Sequence, residues 1–459
     1  MAREQRPFPL FARIPDAASG AAPNRLKPCG SFWYRLNSLL PAVAIVLMVL
    51  PVARQNIDRW FTVELLVAWV LIAVIQRPEW PVRMRRLFYL IPLWLAYASY
   101  YLVAAGTDLK VTGSYVLFLA PALMFDYYRK DTRTLVILTV VGIVSFLGGA
   151  ITSIGILIDN PMAARLVSTS LVDTAGYADL AKSGVGDYRF TYGVALLLPF
   201  LVAIAADSGR TPRHRVSSLA CSCVLAYYLY LATFAMSICI MVAGTLLALF
   251  HHIRHPHLRF VASIATIITG SLFLAGFGAD LMSLASRSVD NKVLSIKADQ
   301  MASLLSGTLR QTGFDRATLY GTSIDTFLEH PVTGVGAYYG VVGSDIAMDH
   351  GIGSHSELFD TLARFGLVGA GIYLSILLPL TFRAVSEWKG TAYGAVASSM
   401  WILFILLVCF NAASGQTEIG VTVFLLWPAL PHTVAALRPA RAPFRRLGAP
   451  NRCDSVAYR

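Results

Sequence analysis

The sequence predicts an all-α, polytopic integral membrane protein with about twelve transmembrane helices and a large loop on the outward side. Three observations predict it. Hydrophobic residues make up 56% of the 459-residue chain and charged residues only 14%, whereas a soluble domain carries about 25% charged residues. The mean hydropathy is +0.60. Apolar runs near the ~20 residues that a membrane helix needs recur along the chain. These runs are continuous rather than alternating, so helices, not barrel strands, satisfy the backbone in lipid.

Taken in order, residues 1–37 are polar, contain prolines and carry Arg3, Arg6, Arg13, Arg25, Lys27 and Arg35. No apolar run follows closely enough for a cleaved signal, so this is expected to be a cytoplasmic tail. Spans are predicted at 38–53, 60–76, 87–104, 113–126, 134–158, 190–206, 216–233, 236–250, 260–280, 358–382, 393–410 and 419–437. The first nine occupy 38–280 and the last three 358–437; a basic tail, 438–459, follows. An even number of spans puts both termini on one side. Most Lys and Arg fall in the tails and in every second loop, such as Arg77–Arg86, Asp126–Arg133 and Asp207–Arg215. That is the distribution of cytoplasmic loops.

Two outward loops are long, 159–189 and 281–357, and ordered loops of that length usually carry function. Within the second, 286–311 has few helix breakers and is expected to hold a helix across the mouth. The net charge of +12 is spread over many short loops, which argues against a nucleic-acid partner despite the general affinity of basic proteins for phosphate. Of the six cysteines, Cys221, Cys223, Cys239 and Cys409 lie in apolar runs and Cys29 and Cys453 in the tails, so no structural disulfide is expected.

The most polar part of the chain is Arg316–Gly371. It carries a Pro-x-x-Gly-x-Gly turn at Pro331, Gly334 and Gly336, then His355, Ser356 and Glu357 ahead of a new apolar run. Glycines in the turn allow positive φ and close backbone approach; no strand–helix context makes it a nucleotide loop. His355 has an ordinary pKa near ~6.5 and can exchange a proton at neutral pH. Arg316 and Arg189, which ends the shorter outward loop, suit a phosphate group, since Arg binds phosphate bidentately and keeps its charge. Glu357, Asp360 and Arg364 share a helix face by spacing and form a polar wall, functional or paired within the fold. Arg287 and Arg310 are weaker cationic positions of the same kind.

Two groups look metal-like but carry less. His251, His252, His255 and His257 sit in a basic interfacial loop without a supporting acid or thiolate, and Asp345 and Asp349 stand near His350. Neither is expected to hold a metal.

The segment Arg316, Tyr320, His330, Pro331, Gly334, Gly336, His355, Leu362 and Gly366 resembles the signature of the O-antigen ligase and polymerase superfamily, bacterial membrane glycosyltransferases acting on lipid-linked glycans. Departures are Ser356 where Asn is usual, Arg364 where an acid is common, and Thr233–Met236 where a Ser-Arg pair often stands. The resemblance implies a GT-C-like enzyme of the inner membrane, with both termini cytoplasmic and the large loop periplasmic. Its donor would be a glycan on undecaprenyl pyrophosphate and its acceptor a hydroxyl of lipid A core or another glycan. His355 would activate that hydroxyl, Arg189 and Arg316 would hold the pyrophosphate, and no metal or other cofactor would be needed. An O-antigen or exopolysaccharide repeat-unit polymerase is the alternative within the superfamily. A polysaccharide flippase or secondary transporter is the alternative from another class, although carriers place ionisable groups near the midplane and this chain places them in one outward loop.

Overall fold

The computed structural model describes residues 31–104, 110–169, 180, 182–250, 284, 287, 295, 316–335, 352–353, 356–389, 391, 393–411, 413 and 416–436. The predicted span 260–280 and the expected helix at 286–311 lie outside the described residues, apart from isolated positions in the latter. In chain order the helices are α1 (Ser31–Val49), α2 (Pro51–Asn56), α3 (Arg59–Gln76), α4 (Glu79–Arg83), α5 (Arg85–Ala104), α6 (Lys110–Tyr128), α7 (Thr132–Asp159), α8 (Ala163–Thr169), α9 (Tyr188–Ala206), α10 (Pro212–Ala232), α11 (Ala235–Phe250), α12 (Arg316–Glu329), α13 (Glu357–Ser386), α14 (Gly394–Phe410), α15 (Thr417–Gly420) and α16 (Trp427–Ala436). A π-helical turn, Val421–Leu426, joins α15 to α16 as one rod. Among the described residues every element is helical, and seven helices are long and apolar enough to cross a membrane.

Their outer faces are apolar. On α3, Val67, Leu71 and Ile75 are exposed while Leu66, Trp69 and Ala73 are buried; on α7, Val140, Val144 and Ile151 are exposed while Leu138, Phe146 and Ala150 are buried. Apart from Glu64, exposed near the start of α3, the faces named here avoid charge, as a lipid-facing bundle requires. The most enclosed elements are α9 and the α15–α16 rod; α9 packs against α10, α11 and that rod. Thr422 Oγ1 donates to Gly193 O at 3.3 Å and Trp427 Nε1 to Leu196 O at 3.2 Å, tying that rod to α9 from within the π turn and from just beyond it.

Charged contacts collect at the two ends of the bundle. At one end Asp126, 2% exposed, accepts from Trp80 Nε1 at 2.9 Å, from Arg83 at 3.2 Å and from Arg383, clasping α4 and α13 to α6. Glu387 pairs there with Arg129 at 2.9 Å and meets His432 at 3.1 Å. Asp207, Arg210 and Tyr393 form a third contact at this end: Tyr393 OH donates to Asp207 at 2.5 Å. Burial and this bond to Asp207 push the Tyr393 hydroxyl up to about 12.

Candidate functional site

The opposite end holds both the sequence-predicted residues and a second, unforeseen group. The Pro-x-x-Gly-x-Gly turn leaves α12 and docks on a break in α13. Gly366 has φ 59°, ψ −168°, a conformation reserved for glycine. Leu367 N donates to Pro331 O at 2.8 Å, Val368 N to Val332 O at 3.1 Å and Val335 N to Ala363 O at 3.0 Å. Gly334, with φ 70°, faces the backbone of Ala363 and Arg364 so closely that a Cβ would overlap it. The turn is therefore a backbone-to-backbone joint. Tyr97 OH donates to Phe365 O at 3.0 Å, and Trp94 packs its ring 4.8 Å from that of Phe365, holding α5 against the same break.

The start of α13 is a buried polar layer. Ser356 caps the helix by accepting from Phe359 N, and its own hydroxyl donates to Cys409 O at 2.7 Å. Asp360, 3% exposed, accepts from Ser323 Oγ at 2.7 Å and Ser356 N at 3.1 Å, and Ser323 Oγ also accepts from Gly353 N at 2.9 Å. Glu357 accepts from Ala413 N at 3.1 Å and Thr361 Oγ1 at 3.2 Å. Glu357 and Asp360 are thus engaged in seating α12 and the 411–416 segment on α13, and Arg364, half-buried, lies at the break. Arg316 opens α12. His355 and Gly336 lie outside the described residues; the neighbours of His355 in the chain, Gly353 and Ser356, are held as above. The two metal-like groups, at 251–257 and 345–350, also lie outside them, and among the described residues no three His, Cys, Asp or Glu side chains converge.

Arg189 reaches the second group. Asp187 caps α9, its Oδ1 accepting from Arg189 N at 3.1 Å and Phe190 N at 3.2 Å. Its Oδ2 lies 2.8 Å from Arg54 Nη2 and 3.7 Å from Arg189 Nε. Arg54 Nε stands 3.0 Å from Glu418 Oε1, and the Glu418 side chain is fully buried in the first turn of α15. Burial alone would raise the Asp187 carboxyl, but Arg54 and Arg189 hold it below the usual carboxylate range. Arg59, the first residue of α3, completes the set and donates to Ser114 Oγ at 3.2 Å. Arg54, Arg59 and Arg189 line one open pocket, floored by Leu47, Met48 and Leu117. Three guanidinium groups there face two carboxylates, and the buried Arg189 Nε has no hydrogen-bond partner among the described residues. Such a pocket carries a local excess of positive charge.

The two groups share one end of the bundle. Gln416 Nε2 donates to Tyr188 OH at 2.6 Å and Tyr192 OH to Asn411 Oδ1 at 3.3 Å, so the segment that bonds Glu357 also bonds the start of α9. Thr417 Oγ1 reaches Met48 O at 3.1 Å.

The family model described as O-antigen ligase matches residues 218–374, from α10 to the middle of α13. The chain carries an O-antigen ligase domain. The motif residues Tyr320, Pro331, Gly334 and Gly366 fall within that O-antigen ligase domain, whereas Arg54, Arg59, Arg189 and Glu418 fall outside it. No curated protein matches the chain. That match supports, at the level of the family, a membrane glycosyltransferase of the O-antigen ligase and polymerase type. Arg54, Arg59 and Glu418 were not singled out from the sequence; the cue was a pair of arginines, five residues apart, in a turn between two spans.

Proposed function

We propose that the protein is an inner-membrane glycosyltransferase that moves a glycan from undecaprenyl pyrophosphate to an acceptor hydroxyl at the periplasmic face, with lipid A core as the acceptor. The observation that supports this reading is the meeting of Arg189 with Arg54 and Arg59 in one pocket, at the bundle end where the α12–α13 joint lies. In the reaction the acceptor oxygen attacks the anomeric carbon. The bond from that carbon to the phosphate oxygen breaks, and the electron pair leaves with the lipid pyrophosphate. His355 takes the hydroxyl proton. Arg189 and Arg316 stabilise the departing charge, a preorganised electrostatic contribution that requires neither metal nor nucleotide. Attack opposite the leaving group inverts the anomeric centre. Glu357 and Asp360 act as the frame that holds the His355 segment, through Ser323, Ser356 and Ala413.

The test is the length of glycan on the carrier lipid in a host whose only copy is His355→Ala. Long polymer stranded on the lipid, with lipopolysaccharide lacking it, is the expected result. Single repeat units without polymer would replace the acceptor with a growing chain, making the protein a polymerase. An unchanged lipid-linked pool with normal surface glycan would overturn the transfer reading.

A further inference from the structure

The end of the bundle opposite the pocket carries a charged face that the proposed reaction does not use. Helix α5 opens there with Arg85 and Arg86, both exposed. They precede Tyr89 by four and three residues, so both lie one turn from it on the same face. Tyr89 is 74% exposed. Leu93 and Ala96, both exposed, continue that face to the middle of the helix. Charge thus gives way to apolar surface within two turns. The same change occurs beside it, from Arg77 to exposed Ile75 at the end of α3 and from Arg383 to exposed Phe382 on α13, which packs against α5. The acids of this corner are Glu79 and Asp126, and Asp126 is buried against Arg83 and Arg383. Arg85 and Arg86 make no ion pair among the described residues. Arg83, Arg85, Arg86 and Arg383 outnumber the two acids, so an excess of positive charge stands at the level where the apolar surface begins.

We propose that this face binds an anionic glycerophospholipid of the bilayer, with its phosphate between Arg85 and Arg86 and an acyl chain along Tyr89, Leu93 and Ala96. A phosphate diester offers each guanidinium charge-assisted bonds. Arginine stems lie on apolar surface while their heads reach the headgroup layer. Tyrosine suits the level between them, since its ring is apolar and its hydroxyl polar. Basic clusters beside a membrane helix attract anionic lipid, whereas a zwitterionic lipid brings an ammonium group that two guanidinium groups repel. A soluble acidic partner would gain nothing from Leu93 and Ala96. On the other side of α5, Trp94 and Tyr97 hold the break in α13, so the lipid lies against the helix that braces the α12–α13 joint. The site does not depend on the transfer reading.

The experiment uses the full chain purified in non-ionic detergent and follows bound lipid by native mass spectrometry. The probes are dioleoyl phosphatidylglycerol, dioleoyl phosphatidylcholine and, as a headgroup without chains, glycerol phosphate. Phosphatidylglycerol is expected to bind about tenfold more tightly than phosphatidylcholine. The double variant Arg85→Gln/Arg86→Gln should lose most of that preference, and Arg85→Lys/Arg86→Lys should keep part of it. Lys130→Gln/Arg133→Gln, which removes two exposed charges of the same sign at the α6–α7 turn, should keep it whole. Melting temperatures in detergent alone should match that of the unchanged chain, because neither Arg85 nor Arg86 has an ion pair to lose among the described residues. Unchanged binding by Arg85→Gln/Arg86→Gln overturns the site, and equal losses in the two Gln pairs replace it with diffuse charge. Equal affinity for the two lipids removes the anionic requirement. Glycerol phosphate binding as tightly as phosphatidylglycerol removes the lipid. A chain that is dimeric in detergent and monomeric as Arg85→Gln/Arg86→Gln gives the face to a second copy instead.

Discussion

Replacing Gly366 by Ala tests the joint between α12 and α13. The added Cβ would overlap the carbonyl of Val332 and lie 2.5 Å from Thr333 N. Both are backbone atoms of a tight turn, so no side chain can swing aside. The substitution also forces an L-residue into the φ 59°, ψ −168° conformation, a strain of about 1–3 kcal/mol. If the turn retreats, the bonds Leu367 N to Pro331 O and Val368 N to Val332 O are lost, at about 1 kcal/mol each. The sum is on the order of 3–5 kcal/mol. Gly371, five residues along the same helix, has nothing within 4 Å of its missing Cβ. Gly371→Ala should be neutral or stabilising by up to ~1 kcal/mol, since Ala is the better helix former. The assay is the melting temperature of each detergent-purified variant, followed by size-exclusion chromatography after heating. Gly366→Ala should melt several degrees lower and Gly371→Ala should not. Equal melting temperatures for the two variants would refute the docked-turn reasoning.

Three further outcomes follow from contacts elsewhere. Ser323→Ala removes one donor to buried Asp360 and the bond that Ser323 Oγ accepts from Gly353 N; a loss of about 1–3 kcal/mol is expected in thermal unfolding, while Ser323→Thr should recover part of it. Asp126→Asn removes the charge that Arg83 and Arg383 share, both partly exposed, so the expected loss is moderate, on the order of 2 kcal/mol, and a double variant with Arg383→Gln should cost less than the sum of the singles, measured by a double-mutant cycle. Asp187 has a folded pKa below its unfolded one, so its contribution is present above the unfolded value and is lost as pH falls through the folded value; a melting-temperature profile should be flat from neutral pH to about 5 and drop below about 4, and Asp187→Asn should shrink the drop while lowering the neutral plateau.

Much of this architecture was legible in composition and periodicity. Helices occupy the predicted positions at 60–76, 134–158, 190–206 and 216–233 because long apolar runs, bounded by charge or proline, leave the backbone no other way to bond itself in lipid. Ends were less legible. The first helix begins at Ser31, and within it the polar Asn37 is buried by donating to Gln76 and Tyr127, partners that no local pattern announces. Helix α12 lay within a stretch read as loop; Leu319, Ser323 and Thr326, buried at helical spacing, were its trace. Of the candidate residues, the glycines were legible as backbone devices, and the structure seats Gly334 on α13 rather than leaving it open to a ligand. Arg189 was legible beside a span start. Arg54, Arg59 and Glu418 were not, because a lone charge at a helix end reads as an interfacial anchor until a partner far away in sequence is seen beside it. Asp360 read as a polar wall residue; two serines, 37 and 4 positions away, account for its carboxylate.

The π turn at Val421–Leu426 keeps the two ends of the last rod in phase. Each residue of an α-helix advances the side chain by about 100°, and a π turn absorbs one surplus residue without breaking the rod. Trp427 on its far side is keyed to Leu196, and Glu418 on its near side is keyed to Arg54. Removing one residue between 421 and 426 would let the rod relax to regular α geometry with Trp427 and Glu418 still on their partners. A residue removed between Glu418 and Val421 instead would leave the π turn in place and swing Glu418 about 100° off Arg54. The wide turn thus acts as the slack that lets a single rod mesh with the bundle core and with the charged pocket at its tip.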